Sequence, residues 1–320
     1  MKKPIVSVVI VNYNGKNFLK TILDSLKKSS FKSYETIILD NNSADGSQEF
    51  VRKNYKRIKL VANKKNLGYC GINTAIRYCK GKYIFFTNND ISLDKNCIKK
   101  LVQNLERDKN VGIASPKVIN YFNKSLKSCG TWVSRAFYNG HFRCKHDFIK
   151  EIPYNGVAMI RKSIVDKFGY LFDKDYFIYA EDLDLGLRAR LLGYKVMHVP
   201  EAILYHMHGL TAGKQKNYMQ TYRMERNLLT TFIKILSIKN ILLYLPYVVV
   251  MRFIGMIKDI VTFNFANFGA RLFAIFSVII NIPITLKKRK SVQKLRKKND
   301  SFLLAIFSGK YLFSNKKINV

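Results

Sequence analysis

Carboxylates recur where apolar runs stop. Asp40 closes Thr36-Ile37-Ile38-Leu39, Asp90 follows the run at 83–87, and Glu181, Asp182 and Asp184 follow 176–180. With only 21 acidic residues against 56 basic ones, that placement points to chemistry rather than charge balance. Magnesium or manganese prefers oxygen ligands and shares them with a substrate diphosphate, so one placed Asp suffices. Asp90 is the metal candidate; capping of the turn before residue 94 is the alternative. Five carboxylates lie in residues 173–184. Glu181 and Asp182 open a predicted helix whose positive dipole end favours their ionised forms, the state a general base needs. Asp182 is the candidate base, while Asp184 is expected to pair with Arg188 on the helix surface. His206 and His208, two apart on an extended segment, face opposite ways, so at most one reaches the metal. No phosphate-loop signature occurs, although the glycines in 66–73 let backbone approach a diphosphate.

These side chains need a scaffold. Apolar runs at 5–13, 35–40, 58–61, 83–87 and 111–115 read as strands, alternating with helices at 17–29, 47–55, 71–79 and 94–106. The alternation predicts a mostly parallel α/β sheet flanked by helices, with ligands beyond the carboxyl ends of its strands. A less regular stretch at 116–155 holds the only tryptophan, Trp132, as aromatic core or as a sugar platform. A helix at 161–168, a helix at 182–192 and a strand at 195–199 complete a first domain at 1–215.

Residues 216–320 read as helices with a basic tail. The apolar runs at 240–251 and 272–286 have 12 and 15 residues, and Pro246 and Pro283 interrupt them. A span needs about 20 apolar residues, so the expectation is helices lying in a membrane interface or docked as a hairpin. Eight of the residues from 287 to 298 are Lys or Arg. With a net charge of +35, this predicts an anionic membrane surface as partner. The N-terminus runs straight into the first strand and does not resemble a signal peptide. The five scattered cysteines indicate neither a zinc site nor a disulfide framework, which suits a cytoplasmic protein held at the inner face of the cell membrane.

Together these residues resemble glycosyltransferase family 2, nucleotide-sugar enzymes of the GT-A fold, and within it the rhamnosyltransferase-like branch. The likeness covers roughly residues 5–227. The resemblance implies a nucleotide site from Asn12 and Tyr13 on the first strand, Asp40 for the base, and Asn66, Gly68 and Asn73 in the following loop and helix. Asn88, Asn89 and Asp90 stand at the family's Asp-x-Asp motif, with Asn in place of the first carboxylate. His206, Gly209 and Thr211 resemble its metal-binding histidine element, Glu181 and Asp182 its acceptor-side base, and Arg226 with Asn227 the Arg-Asn pair that follows. The expected reaction is inverting transfer from a nucleotide-diphosphate sugar, with rhamnose as the suggested sugar, to a glycan or polyprenyl-linked acceptor.

Two rivals explain less. A basic nucleic-acid-binding protein accounts for the charge but not for carboxylates at strand ends, and no nucleic acid partner is expected. A nucleotidyltransferase should carry an early glycine-rich basic loop, for which residues 12–16 are a poor match.

Overall fold

The computed structural model describes residues 3–143, 150–207, 218–307 and 318–319. The first half alternates as the apolar periodicity requires: β1 Val6–Asn12, α1 Lys16–Lys27, β2 Tyr34–Asp40, α2 Ser47–Asn54, β3 Lys59–Ala62, α3 Asn73–Ile76, β4 Tyr83–Asn88, β5 Ile91–Leu93, α4 Cys97–Arg107 and β6 Val111–Asn120. Short strands β7 Leu126–Ser128, β8 Thr131–Val133, β9 Asn139–Arg143 and β10 Lys150–Glu151 fill the irregular region. Then come β11 Ala158–Arg161, α5 Lys162–Phe168, α6 Glu181–Leu191 and β12 Lys195–His206. The remainder is α7 Tyr218–Ile235, α8 Ile238–Val261, α9 Phe265–Ile280, α10 Ile282–Lys294, α11 Asp300–Leu304 and β13 Ile318–Asn319.

The main sheet runs β10-β12-β6-β11-β4-β1-β2-β3. Strands β4, β1, β2 and β3 are parallel, as buried β-branched runs joined by helices demand. β11 pairs antiparallel with both β4 and β6, so the sheet is mixed. Its alternating side chains feed two cores. Val6, Val8 and Ile10 pack with Leu19, Leu23 and Leu101 on one face; Val9, Ile37 and Leu39 pack with Ile160, Leu185 and Ala189 on the other.

Several expectations change. The strand predicted at 195–199 continues past Pro200 to His206, because a register shift between Val199 and Ile203 lets β12 rejoin β6. The helix expected at 71–79 is a 3₁₀ turn, Tyr69–Ile72, followed by the four-residue α3. Trp132 is core, buried where an added Cβ on Gly140 would collide with its ring. Cys129 is disulfide-bonded, with its partner outside the described residues, because spacing along a chain does not report which loops meet. Cys70, Cys79 and Cys97 are free and buried.

The C-terminal helices share a third core with α6, in which Leu183, Leu187 and Leu191 meet Leu228, Phe232 and Ile235. α8 runs 24 residues through Pro246 and is long and apolar enough to cross a membrane, unlike the 12-residue run expected there. Pro246 lies on its exposed side, where the lost backbone bond disturbs no packing. α9 and α10 meet at a 68° bend beside Pro283. Buried ion pairs fasten α8 to its neighbours: Arg252 to Glu225 at 3.2 Å, and Asp259 to Arg271 at 2.7 Å.

Candidate active site

Parallel pairing aligns the open ends of three strands. Asn12 stands opposite Asp40 and Val11 opposite Asn88, so the chemistry-bearing residues share the carboxyl edge of the sheet. Asn12 is their hub: its Nδ2 donates to Asp40 Oδ2 at 2.8 Å, and its Oδ1 accepts from Asn89 Nδ2 at 2.7 Å. Asp40 is buried and also accepts from the Ser43 amide at 2.9 Å, Ser43 Oγ at 2.6 Å and Gln48 Nε2 at 2.8 Å. Its four lone-pair directions are thereby filled from within, and a base contact from Asp40 requires one of these donors to be exchanged. Tyr13 projects outward at this edge and is 45% exposed.

Asp90 and His206, 116 positions apart, are brought together by β5. That strand follows Asp90 and pairs antiparallel with β12, setting His206 against Ile91. His206 Nδ1 lies 3.6 Å from Asp90 Oδ2, and its Nε2 lies 3.4 Å from Asn88 Nδ2. The Met207 amide donates to the Asp90 carbonyl at 2.9 Å and locks the pairing. One carboxylate and one imidazole at this spacing suit a hard or borderline divalent ion. Among the described residues no group of three or more His, Cys, Asp or Glu gathers, so such an ion would complete its shell from substrate oxygens. His208, Gly209 and Thr211 lie outside the described residues.

Glu181 and Asp182 open α6, as the sequence suggested, behind a turn with positive φ at Phe177, Tyr179 and Ala180. Asn227 clamps that turn by donating to the carbonyls of Tyr176, Ile178 and Tyr179 at 3.1, 3.2 and 2.7 Å. Arg226 adds a bond to the Asp175 carbonyl at 2.8 Å. Asp182 faces Gly156, where a Cβ would stand 3.3 Å from its Oδ2. Burial pushes the Asp182 carboxyl up to about 6, against the opposing pull of the Leu183 amide. Burial, then the charge of Asp182, pushes Glu181 up further, and its buried Oε2 has no hydrogen-bond partner.

Tyr69, which sequence reading passed over, joins the two halves. Burial raises its hydroxyl, and the charges of Glu181, Asp182 and Asp90 raise it further. Its hydroxyl donates to the Gly156 carbonyl at 3.3 Å. Its place after Leu67-Gly68 was the available signal. Gly68 cannot be replaced without collision, since φ is +65° and an added Cβ would meet the Phe177 carbonyl at 2.3 Å. Asn66 accepts from the Gly68 amide at 2.8 Å. Asn73 spends its side chain on Leu171 and Phe172 backbone, bracing this loop against the acidic turn.

Asp184 does pair with Arg188, at 2.7 Å, but the pair is wholly buried and not on the surface. The reason is Lys234 of α7, which reaches Asp184 Oδ1 at 2.7 Å and Asp173 Oδ2 at 2.8 Å from full burial. Lys288 of α10 closes the network on Asp173 at 2.5 Å and Asp175 at 2.6 Å.

The family described as Glycosyl transferase family 2 matches residues 7–169. An uncharacterized glycosyltransferase of Haemophilus influenzae is 25% identical over 68% of this chain and 70% of its own length. An N-acetylglucosaminyl-diphospho-decaprenol L-rhamnosyltransferase of Mycobacterium tuberculosis is 22% identical over 66% of this chain and 78% of its own. The crystal structure of GalNAc-T7 with UDP, GalNAc and Mn2+ superposes with a TM-score of 0.60 at 15% identity, over 72% of this chain and about half (48%) of that one. The chain belongs to glycosyltransferase family 2, and its sheet and flanking helices form the GT-A fold of that family.

Proposed function

We propose that the chain transfers a sugar, with inversion, from a nucleotide-diphosphate donor to a hydroxyl of a polyprenyl-diphosphate-linked glycan precursor. The observation that carries this reading is His206 set 3.6 Å from Asp90 at the open end of the sheet, with Asp182 facing Gly156, whose carbonyl accepts from the Tyr69 hydroxyl. Asp182 takes the proton of the acceptor hydroxyl while that oxygen bonds to the anomeric carbon. The bond from that carbon to the donor phosphate breaks, and the nucleoside diphosphate leaves. Direct displacement needs no enzyme nucleophile and inverts the centre. Asp90 and His206 would hold a divalent ion, which supplies Lewis-acid stabilisation to the departing phosphate. Asn12, Asp40 and the 66–73 loop would frame the nucleotide, with Asn88 and Asn89 beside it and Asn73 and Arg226 bracing the walls. Rhamnose is the sugar suggested by the likeness to the rhamnosyltransferase of Mycobacterium tuberculosis.

Incubation with a panel of nucleotide sugars and Mn2+ tests this, with released nucleoside diphosphate as readout. Pyrophosphate release would instead indicate a nucleotidyltransferase. Asp90→Asn should raise the Mn2+ concentration for half-maximal turnover by at least about tenfold, since even outer-shell metal partners are worth about 10–100-fold. An unchanged metal dependence removes Asp90 from the ion site.

The same reading sets the enzyme on an anionic membrane surface. α8 and α9 expose Leu242, Phe253, Ile257, Leu272 and Phe276, large apolar side chains whose clustering on a surface marks a membrane or partner site. The basic stretch beside them is partly consumed internally: Lys288 pairs with Asp173, Arg289 caps the α7 carbonyls of Ile233 and Leu236, and Arg296 pairs with Asp300. Lys287, Lys290, Lys294, Lys297 and Lys298 stay exposed. At about 1 kcal/mol each, replacing Lys287, Lys290 and Lys294 by Gln should weaken binding to phosphatidylserine vesicles about 100-fold. No vesicle binding by the unaltered chain would end this part of the proposal.

A further inference from the structure

Helix α7 links two surfaces that the transfer reaction leaves unexplained. On its first turns, Tyr218, Met219 and Tyr222 face Phe273, Phe276 and Ile280 of α9 across a groove of about 360 Å³. That volume falls in the range of ligand pockets, ~300–1,000 Å³. The groove is firmly built. Tyr218 and Tyr222 stack with ring centroids 6.4 Å apart, and Tyr222 Oη donates to Ser277 Oγ at 3.1 Å. Its floor is apolar, yet Met219 and Phe276 are 42% and 60% exposed.

One turn further along α7 the character changes. The Arg226 guanidinium stands 5.4 Å from the Tyr222 ring, at the groove's end, and Arg223 lies 4.2 Å over Phe177 in the turn that leads to Glu181. Neither arginine has a carboxylate partner among the described residues. Burial, then the nearby charge of Arg226, holds the Arg223 guanidinium below its ordinary value, and an anion would offset both effects. Phe177 in turn closes on Gly68, and its carbonyl accepts from the Cys70 amide at 3.2 Å. The groove thus continues through Tyr222 to Arg226, and Arg223 rests on the turn that opens the Glu181-Asp182 helix.

We infer that the α7/α9 groove and Arg223 form the lipid end of the acceptor site, taking the isoprenoid chain of a polyprenyl diphosphate in the groove and its diphosphate at Arg223, with Arg226 beside it. This rests on the transferase reading above and locates its acceptor. Charge complementarity selects the occupant: an apolar chain alone leaves Arg223 and Arg226 without a counter-charge, since Arg226 is held only by carbonyl and amide oxygens, and a free diphosphate leaves the groove open to water. The groove opens among the exposed apolar residues of α9, so a membrane-embedded chain can enter it sideways while its sugar reaches Asp182.

Calorimetric titration of the full chain with farnesyl diphosphate, farnesol and inorganic diphosphate tests the site. Farnesyl diphosphate should bind more tightly than either fragment. Phe276→Glu, at an exposed position, should weaken farnesyl diphosphate about tenfold or more and leave inorganic diphosphate unchanged. Arg223→Gln should weaken both diphosphates about tenfold and leave farnesol unchanged. The assignment is overturned if Phe276→Glu binds farnesyl diphosphate like the unaltered chain, or if inorganic diphosphate binds as tightly. Concentration-dependent dimerisation abolished by Phe276→Glu, without farnesyl diphosphate binding, would give the groove to a second copy of the chain and likewise overturn it. Nucleoside diphosphate binding with Mn2+, measured on the same samples, keeps the two readings apart. Samples that bind the nucleotide but not farnesyl diphosphate sink the groove alone, and samples that bind neither sink both.

Discussion

Asp182→Asn should lower turnover by about 10²- to 10⁴-fold, the contribution of a positioned general base, while donor binding stays intact. Asparagine keeps the shape and the place against Gly156 but cannot accept the acceptor's proton. Glu181→Gln should be far milder. Burial and the neighbouring charge of Asp182 push the Glu181 carboxyl up toward its uncharged form, so an uncharged isostere disturbs the site less. In the unaltered enzyme the rate should rise with pH through about 6, as the Asp182 carboxyl ionises. The stability sign runs the other way. A carboxyl whose folded pKa is raised contributes stability at low pH that is lost as pH rises through its folded value. Asp182→Asn is therefore expected to melt no lower than the unaltered chain at pH 7.5, a trade of stability for function at the site. Circular-dichroism melts beside the rate measurements check both halves. Equal turnover in the two proteins would take Asp182 out of the mechanism.

Which parts of this site the sequence announces follows from how far each signal reaches. Asp40, Asp90 and Glu181-Asp182 are legible because an apolar run ending in a carboxylate is local information, and parallel pairing then aligns those ends automatically. The approach of His206 to Asp90 is long-range. It depends on β12 continuing through Pro200 and on the three-residue β5, neither of which has enough periodicity to be read. Tyr69 and Asn227 act through one hydroxyl and one amide aimed at backbone carbonyls, which residue type alone does not reveal. Helix α8 was underestimated because proline was weighed as a breaker, although an exposed proline on an apolar helix disturbs no packing. Charge counting misleads most at Asp184, Arg188, Lys234, Lys288 and Arg289. On sequence they read as solvated charge, but in the fold they are sewn into the joint between the GT-A sheet and the C-terminal helices.

That joint carries the largest expected effect on stability. Lys234 is fully buried, and its charge is shared between Asp173, which precedes the acidic turn, and Asp184, one residue beyond the Asp182-Leu183 pair. Burial alone would favour neutral groups here. Mutual attraction prevails, raising Lys234 well above its ordinary value and, with Lys288, holding Asp173 well below the usual carboxylate range. Removing one partner of such a network leaves buried charge uncompensated, at about 3–5 kcal/mol. Lys234→Met, which keeps the volume, should therefore lower Tm by roughly 5–10 °C, with the smaller value favoured because Lys288 and Arg188 still serve the two carboxylates. Lys288→Met should be milder, since that ammonium is part-exposed and screened. The pH dependence follows from Asp173. Its depressed pKa contributes stability present above its unfolded value of about 3.9 and lost as pH falls through the folded one, so the chain should weaken below about pH 4. In Lys234→Met that acid-sensitive part should shrink. Because the network brackets residues 173–184, the variant should also lose turnover at temperatures where it is still folded, with kcat falling more than donor KM rises. A Lys234→Met chain that melts with the unaltered protein and turns over normally would show that the joint does not set the position of Asp182.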